Sequence, residues 1–196
     1  SKVGGKPDIE TDKMNASKEH CMAKVALVRC ESYENDVVMA AVQKGVDLMG
    51  GAGAFAKPGE KILLKPNWIM AVPPERGATT HPAVFEAVCR VFGATGADLC
   101  YGDSPGNGTT EDEAERAAKI TGFWDVSTRL NVPLADFVHG REVTTSEGFE
   151  TRKFFLANAA LDASGIISLP KLKTHALMKM TGAVKNQFGC IPGKRK

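Results

Sequence analysis

Three short apolar runs constrain this chain most: Lys61–Lys65 (KILLK), Ala97–Tyr101 (ADLCY) and Gly165–Leu169 (GIISL). Each is too short for a helix, and none alternates apolar with polar as a half-exposed strand would. A continuous apolar strand must be covered on both faces, and that is the habit of parallel sheets. Between the runs, apolar residues recur at helical spacing. Val38, Val42, Val46 and Met49 follow a start near Asn35 and Asp36. Val84, Val88 and Val91 follow Pro82, with Gly93 as the stop. Thr110 and Glu113 have the spacing of a capping box, and Gly122 closes the helix they open.

The same reading predicts strands at Lys24–Cys30 (KVALVRC) and Val132–Phe137. It predicts a hairpin of Glu142–Thr145 with Thr151–Phe155 around Glu147-Gly148, and a helix over Ala176–Val184. Strands alternating with helices define an α/β chain. The expected fold is a mainly parallel, doubly wound (Rossmann-like) sheet with a small β-hairpin insertion. Residues 1–22 are polar and without period and read as a flexible N-terminal arm. Residues 23–196 read as one α/β domain, truncated at its C-terminal end.

With 196 residues, a compact chain buries about 70% of its extended surface, enough for a core without metal or disulfide staples. Hydrophobic residues are 43% and charged residues 24%, so a disordered or fibrous state is excluded. No run approaches the roughly 18 apolar residues of a membrane span. Cys21, Cys30, Cys89, Cys100 and Cys190 form no Cys-x-x-Cys pair. An odd, scattered set fits reduced thiols in a reducing compartment, not a zinc or iron–sulfur site held by this chain alone. Cys89 and Cys100 lie in apolar runs and read as core residues.

The net charge of +2 hides an uneven distribution. Asp162 is the last acid. From Lys171 onward there are seven basic residues and no acid, whereas residues 1–170 carry 18 basic and 23 acidic side chains. An acidic body with a basic end either attracts anions to one face or is balanced by acidic surface in sequence further downstream. Nucleic acid is not expected there, since the basic end holds one aromatic, Phe188, and no recognised reading module.

In open α/β sheets, ligands sit beyond the carboxyl ends of the strands. Here those ends run into Lys65-Pro66-Asn67, Asp103-Ser104-Pro105-Gly106 and Lys171-Leu172-Lys173-Thr174-His175, and His81 precedes the Pro82 helix. Each group has an ordinary reading: Asp103 and Ser104 as turn formers, His81 as a helix cap, the lysines as solvated surface. Together they form a recipe for gripping carboxylate or phosphate. The expected ligand-binding set is Lys65, Asn67, Ser104, Gly106, Lys171, Lys173 and Asn186. His81, His175 and Lys185 are the candidates to move protons, and Asp103 is the one candidate metal ligand. The glycines of Gly102–Gly108 lack the dinucleotide spacing, and neither a phosphate loop nor a Gly-x-Ser-x-Gly elbow exists.

The segments LLKPNW, THP, GDSPG, LPKLKTH and TGAVKNQFGCIPG occur in this order between Lys24 and Gly193. In them the chain resembles the prokaryotic family called domain of unknown function 362, over about the first half of the family domain. The resemblance implies an iron–sulfur association, because many members carry a ferredoxin-like module. It places [4Fe-4S] clusters in a downstream module, with no cofactor in the present chain. A fainter similarity links Gly182-Ala183-Val184-Lys185 and His175 to the nickel-pincer lactate racemases, which implies small-acid chemistry.

Two functions are then expected. One is an enzyme, redox-linked or acting on a small organic acid, that binds a small anionic metabolite. The other is a non-catalytic scaffold docking a ferredoxin-like electron-transfer module through the basic end. A cytoplasmic location is expected, with neither nucleic acid nor membrane as partner.

Overall fold

The computed structural model describes residues 23–68, 70–104, 110–148 and 150–193. The predicted arm at 1–22 lies outside them. The expected parallel strands form: β1 (Lys61–Pro66), β2 (Asp98–Tyr101) and β5 (Gly165–Leu169) make a three-stranded sheet in the order β2-β1-β5, with both pairs parallel. The helix α2 (Pro82–Gly93) carries the crossover from β1 to β2.

The two-residue strand period splits the core. On one face Ile62, Leu64, Tyr101 and Leu169 meet Phe85, Val88, Cys89 and Phe92 of α2 and Phe123 and Val126 of α4 (Phe123–Leu130). Phe85, Tyr101 and Phe123 pack as tilted and edge-on rings 4.9–6.4 Å apart. The helix α1 (Asn35–Leu48) lies against α2 through Val38, Ala83 and Ala87. The opposite face is thinner: Leu63 and Cys100 meet Phe137, Ala157 and Ala159. These come from the loop before β3 (Gly140–Thr144), the end of β4 (Lys153–Ala157) and α5 (Asn158–Leu161). The fold is thus mixed α/β, with helices on one face and a hairpin and short helix on the other. Burial pushes the Cys89 thiol up to about 12, with Glu86 adding to it, and also raises Cys100, so both are inert core thiols.

Several local signals act as the sequence implied. The helix α3 (Glu111–Ile120) starts on the capping box: Thr110 Oγ1 accepts from Glu113 N at 3.2 Å, and Glu113 Oε2 accepts from Thr110 N at 2.9 Å. The antiparallel β3–β4 hairpin spans the predicted turn. Three expectations need correction. Lys24–Cys30 is not a strand but an irregular stretch beside α1, with Val25 84% and Leu27 95% exposed. An apolar run becomes a strand only if a neighbour accepts its backbone bonds, and no described strand pairs with it. The expected strand at Val132–Phe137 reduces to a single parallel bridge, Leu134 to Tyr101. Pro133 lacks the N–H that a continuing ladder needs.

The third correction affects the site. Ala176–Val184 does not form a helix. Lys173–His175 (β6) and Lys179–Thr181 (β7) pair antiparallel, and α6 (Ala183–Gln187) follows. His175 explains the change. Its Nδ1 accepts from Leu177 N (3.2 Å) and Met178 N (3.1 Å), satisfying the turn, while Lys179 takes a left-handed φ of 63°. A side chain that caps its own turn competes with helix formation.

Candidate functional site

The carboxyl ends of β1 and β5 meet the start of α2, the 102–104 turn and α6. Lys65 and Ser168 are register neighbours on the thinner face. Lys65 would be stranded there: its side chain is 0% exposed. Its Nζ instead donates to Asp103 Oδ1 (2.7 Å) and to the Asn186 carbonyl (2.6 Å). Asp103 is held in turn by Trp68 N on Oδ2 (2.8 Å) and Ser104 N on Oδ1 (2.9 Å). Asn186, itself buried, donates from Nδ2 to the Lys65 carbonyl (3.1 Å) and Ser168 Oγ (3.0 Å). A buried ion pair persists only when further hydrogen bonds occupy its groups, and this one has them.

Gly189, in the short turn Phe188–Cys190, closes the pair. A Cβ there would fall 1.9 Å from Asp103 Oδ1 and 2.6 Å from Lys65 Nζ. Gly102 is confined in the same way by the Phe137 ring, 2.6 Å from a would-be Cβ. Sequence reading passed over Gly189. Its only trace was the position of a glycine inside KNQFGC, and nothing local says that a buried ion pair lies beneath it.

A second layer lies above the first. Asn67 N donates to Thr80 Oγ1 (2.9 Å), and Thr80 Oγ1 donates to the Leu169 carbonyl (2.5 Å), joining both strand ends to the start of α2. Asn67 Nδ2 donates to Asn186 Oδ1 (3.3 Å). Lys173 Nζ donates to Asn67 Oδ1 (2.6 Å) and to the Ala78 carbonyl. Ser104 Oγ accepts from Gly193 N (2.9 Å). Lys65, Asn67, Asp103, Ser104, Lys173 and Asn186 therefore stand together on one rim. Gly106 lies outside the described residues.

Lys171 diverges from Lys173. Its Nζ donates to Tyr33 Oη (2.8 Å), and the Tyr33 ring stacks on His81 at 3.9 Å. His81 Nδ1 accepts from Ala83 N (3.2 Å) as the cap of α2. Burial, and then Lys171, hold the His81 pKa below the ordinary 6.5, so the ring is neutral at pH 7, as its accepting Nδ1 requires. A cavity of about 520 Å³ borders His81, Tyr33 and the start of α1. Burial also lowers the Lys173 pKa, opposed by Asp103 and reinforced by Lys171 and Lys185. Lys171 and Lys185 are thus like-charged neighbours of Lys173, and Asp103 is its opposing charge. The three proton-transfer candidates do not share a partner: His81 caps α2, His175 caps its own hairpin, and Lys185 lies 5.0 Å over the Phe188 ring. Asp103 faces Lys65, and no group of three or more His, Cys, Asp or Glu side chains fit for a metal occurs among the described residues.

Comparison with known proteins places this geometry in context. Residues 62–196 match a family described as domain of unknown function (DUF362). The chain is 39% identical over 172 residues to Thylakoid-associated protein sll1697 of Synechocystis sp., covering 88% of this chain and 52% of that protein. The chain thus spans about half the length of the curated relative it matches. No solved structure matches.

Proposed function

This chain belongs to the DUF362 family, and from that premise we propose that it is the lobe of an enzyme that holds a small anionic metabolite at the carboxyl ends of β1 and β5. The ligand is a carboxylate or phosphate. The parallel order β2-β1-β5 supports the location, since open α/β sheets bind ligands beyond the carboxyl ends of their strands.

Lys173 carries the proposal. Its ammonium has three donors, and the described residues take two of them, both neutral acceptors. Lys171 and Lys185 crowd it with like charge. Asp103 offsets part of this charge without bonding to it, and a half-buried ammonium that donates only to neutral oxygens among the described residues is relieved further by an anion. Lys171 adds positive charge beside both Lys173 and His81, and in this scheme His81, neutral at pH 7, exchanges a proton with the ligand. Lys65 and Asp103 do not touch the ligand in this scheme. They hold Asn186 and the strand ends in place beneath it.

Calorimetric titration of inorganic phosphate and of a small dicarboxylate tests the reading. Wild type binds one of them, and Lys173→Ala weakens binding about tenfold or more, the worth of one charge-assisted hydrogen bond. Affinity falls as salt rises. Equal affinity in both proteins, or no binding in either, overturns the site.

A further inference from the structure

The β6–β7 hairpin is built inside out. Its register pairs Lys173 with Thr181, Thr174 with Met180 and His175 with Lys179. By the strand period these pairs alternate between faces. The face with Lys173 and Thr181 turns to the body: Lys173 reaches Asn67 and Thr181 is buried. The other face carries Met180 with Thr174, continued by Leu172 at the β6 end and by Met178 in the turn, and it meets solvent. Leu177 is 82% exposed and Met178 57% exposed at the tip, and Leu172 and Met180 are equally open. On α6 next to it Val184 is 90% exposed, and Phe188 follows four residues on. A contiguous exposed apolar surface of this kind marks a docking site.

The charges around it identify the occupant. Lys179 is exposed at the turn, and Lys185 lies over Phe188. The sequence from Ala163 to Lys196 has seven basic residues and no acid. Apolar tip residues with Lys179 among them and Lys185 on the adjoining helix, in a stretch of sequence without an acid, complement an anionic bilayer surface. Leu and Met are long and adaptable, suited to disordered acyl chains, and lysine stems extend along apolar surface while their ammonium groups stay at the phosphates. We propose that the β6–β7 hairpin with α6 docks this protein on an anionic lipid surface, Leu177, Met178 and Met180 entering the headgroup boundary and Lys179 and Lys185 meeting lipid phosphates. A contact of this kind needs no spanning segment, so a search for long apolar runs does not detect it. No described helix is long and apolar enough to cross a membrane.

The test is co-sedimentation with vesicles of phosphatidylcholine alone and of phosphatidylcholine mixed with phosphatidylglycerol, at low and high salt, beside light scattering for oligomeric state. The protein pellets with the anionic vesicles, less so at high salt, and stays soluble with the neutral ones. Leu177→Asp combined with Met178→Asp lowers the partition about tenfold or more, and Lys179→Glu lowers it by several-fold. Leu48→Asp, an exposed apolar residue on α1, leaves it unchanged. Circular dichroism confirms that each variant folds. Anionic vesicles that pellet the double variant as well as wild type overturn the proposal. So does failure of wild type to pellet. A stable dimer that the double variant abolishes assigns the face to a second copy instead. Phosphate titration of the double variant separates this outcome from the metabolite site, because neither substituted residue touches Lys173.

Discussion

Lys65 stands at the carboxyl end of β1 and Lys173 opens β6, four residues past the end of β5, and both carry their charge into the same rim. Lys65 is sealed: a carboxylate, a carbonyl and a glycine backbone enclose it. Lys173 is half open, donates only to neutral oxygens, and has Asp103 and two more lysines for charged neighbours. The difference separates architecture from recognition. A charge taken out of water must be matched inside the protein, so the buried lysine serves the fold. A charge left at the rim with like charges around it keeps capacity for a ligand.

That comparison breaks most visibly at Asp103. Asp103→Ala leaves Lys65 buried without its counter-charge, and urea unfolding should register a loss of about 3–5 kcal/mol. Lys173→Ala, measured alongside, should change stability by less than about 1 kcal/mol. Similar losses in the two variants would erase the distinction.

Gly189→Ala tests the lid over the pair. Its methyl group would overlap Asp103 Oδ1, and overpacking of this kind costs about 1–3 kcal/mol. The loss should shrink in an Asp103→Ala background, where the overlapping oxygen is gone. An additive double variant would mean that the glycine acts elsewhere.

The pH dependence sharpens the rim side. Burial and neighbouring lysines place the free Lys173 pKa below 10.5, and a bound anion raises it. Binding therefore takes up a proton, and anion affinity should fall as pH rises through the lowered value and onward to the bound one. Titration calorimetry from neutral to alkaline pH checks the slope, and Lys173→Ala should flatten it.

The smallest effect belongs to His81. Its folded pKa is lowered from 6.5, so the folded state resists protonation. The stability term is present above pH 6.5 and is lost as pH falls through 6.5 toward the folded value. His81→Gln should lessen the acid-side slope of thermal stability by a small but measurable amount. An unchanged slope would show that burial and Lys171 do not hold the His81 pKa below 6.5.

The sequence by itself determined whatever short-range chemistry controls. The run KILLK became the central strand β1 and GIISL the parallel strand β5 beside it, and Thr110 with Glu113 formed its box because both partners lie within one helical turn. The gathering of strand-end polar groups on one rim was also legible, because parallel connection orders the ends. Tertiary structure alone decided the rest. Lys24–Cys30 has the composition of a strand, yet strand formation depends on a neighbour's backbone, which is remote in sequence. Ala176–Val184 became a hairpin and part of a short helix because one imidazole captured two turn amides. Only packing sorted five similar lysines into a buried partner of Asp103 (Lys65), a partner of Tyr33 (Lys171), a rim cation (Lys173), an outward charge (Lys179) and a half-buried cation over Phe188 (Lys185). The reason is that burial is a property of what folds over a residue, and for Lys65 that cover is Asn186 and Gly189, more than a hundred residues along the chain.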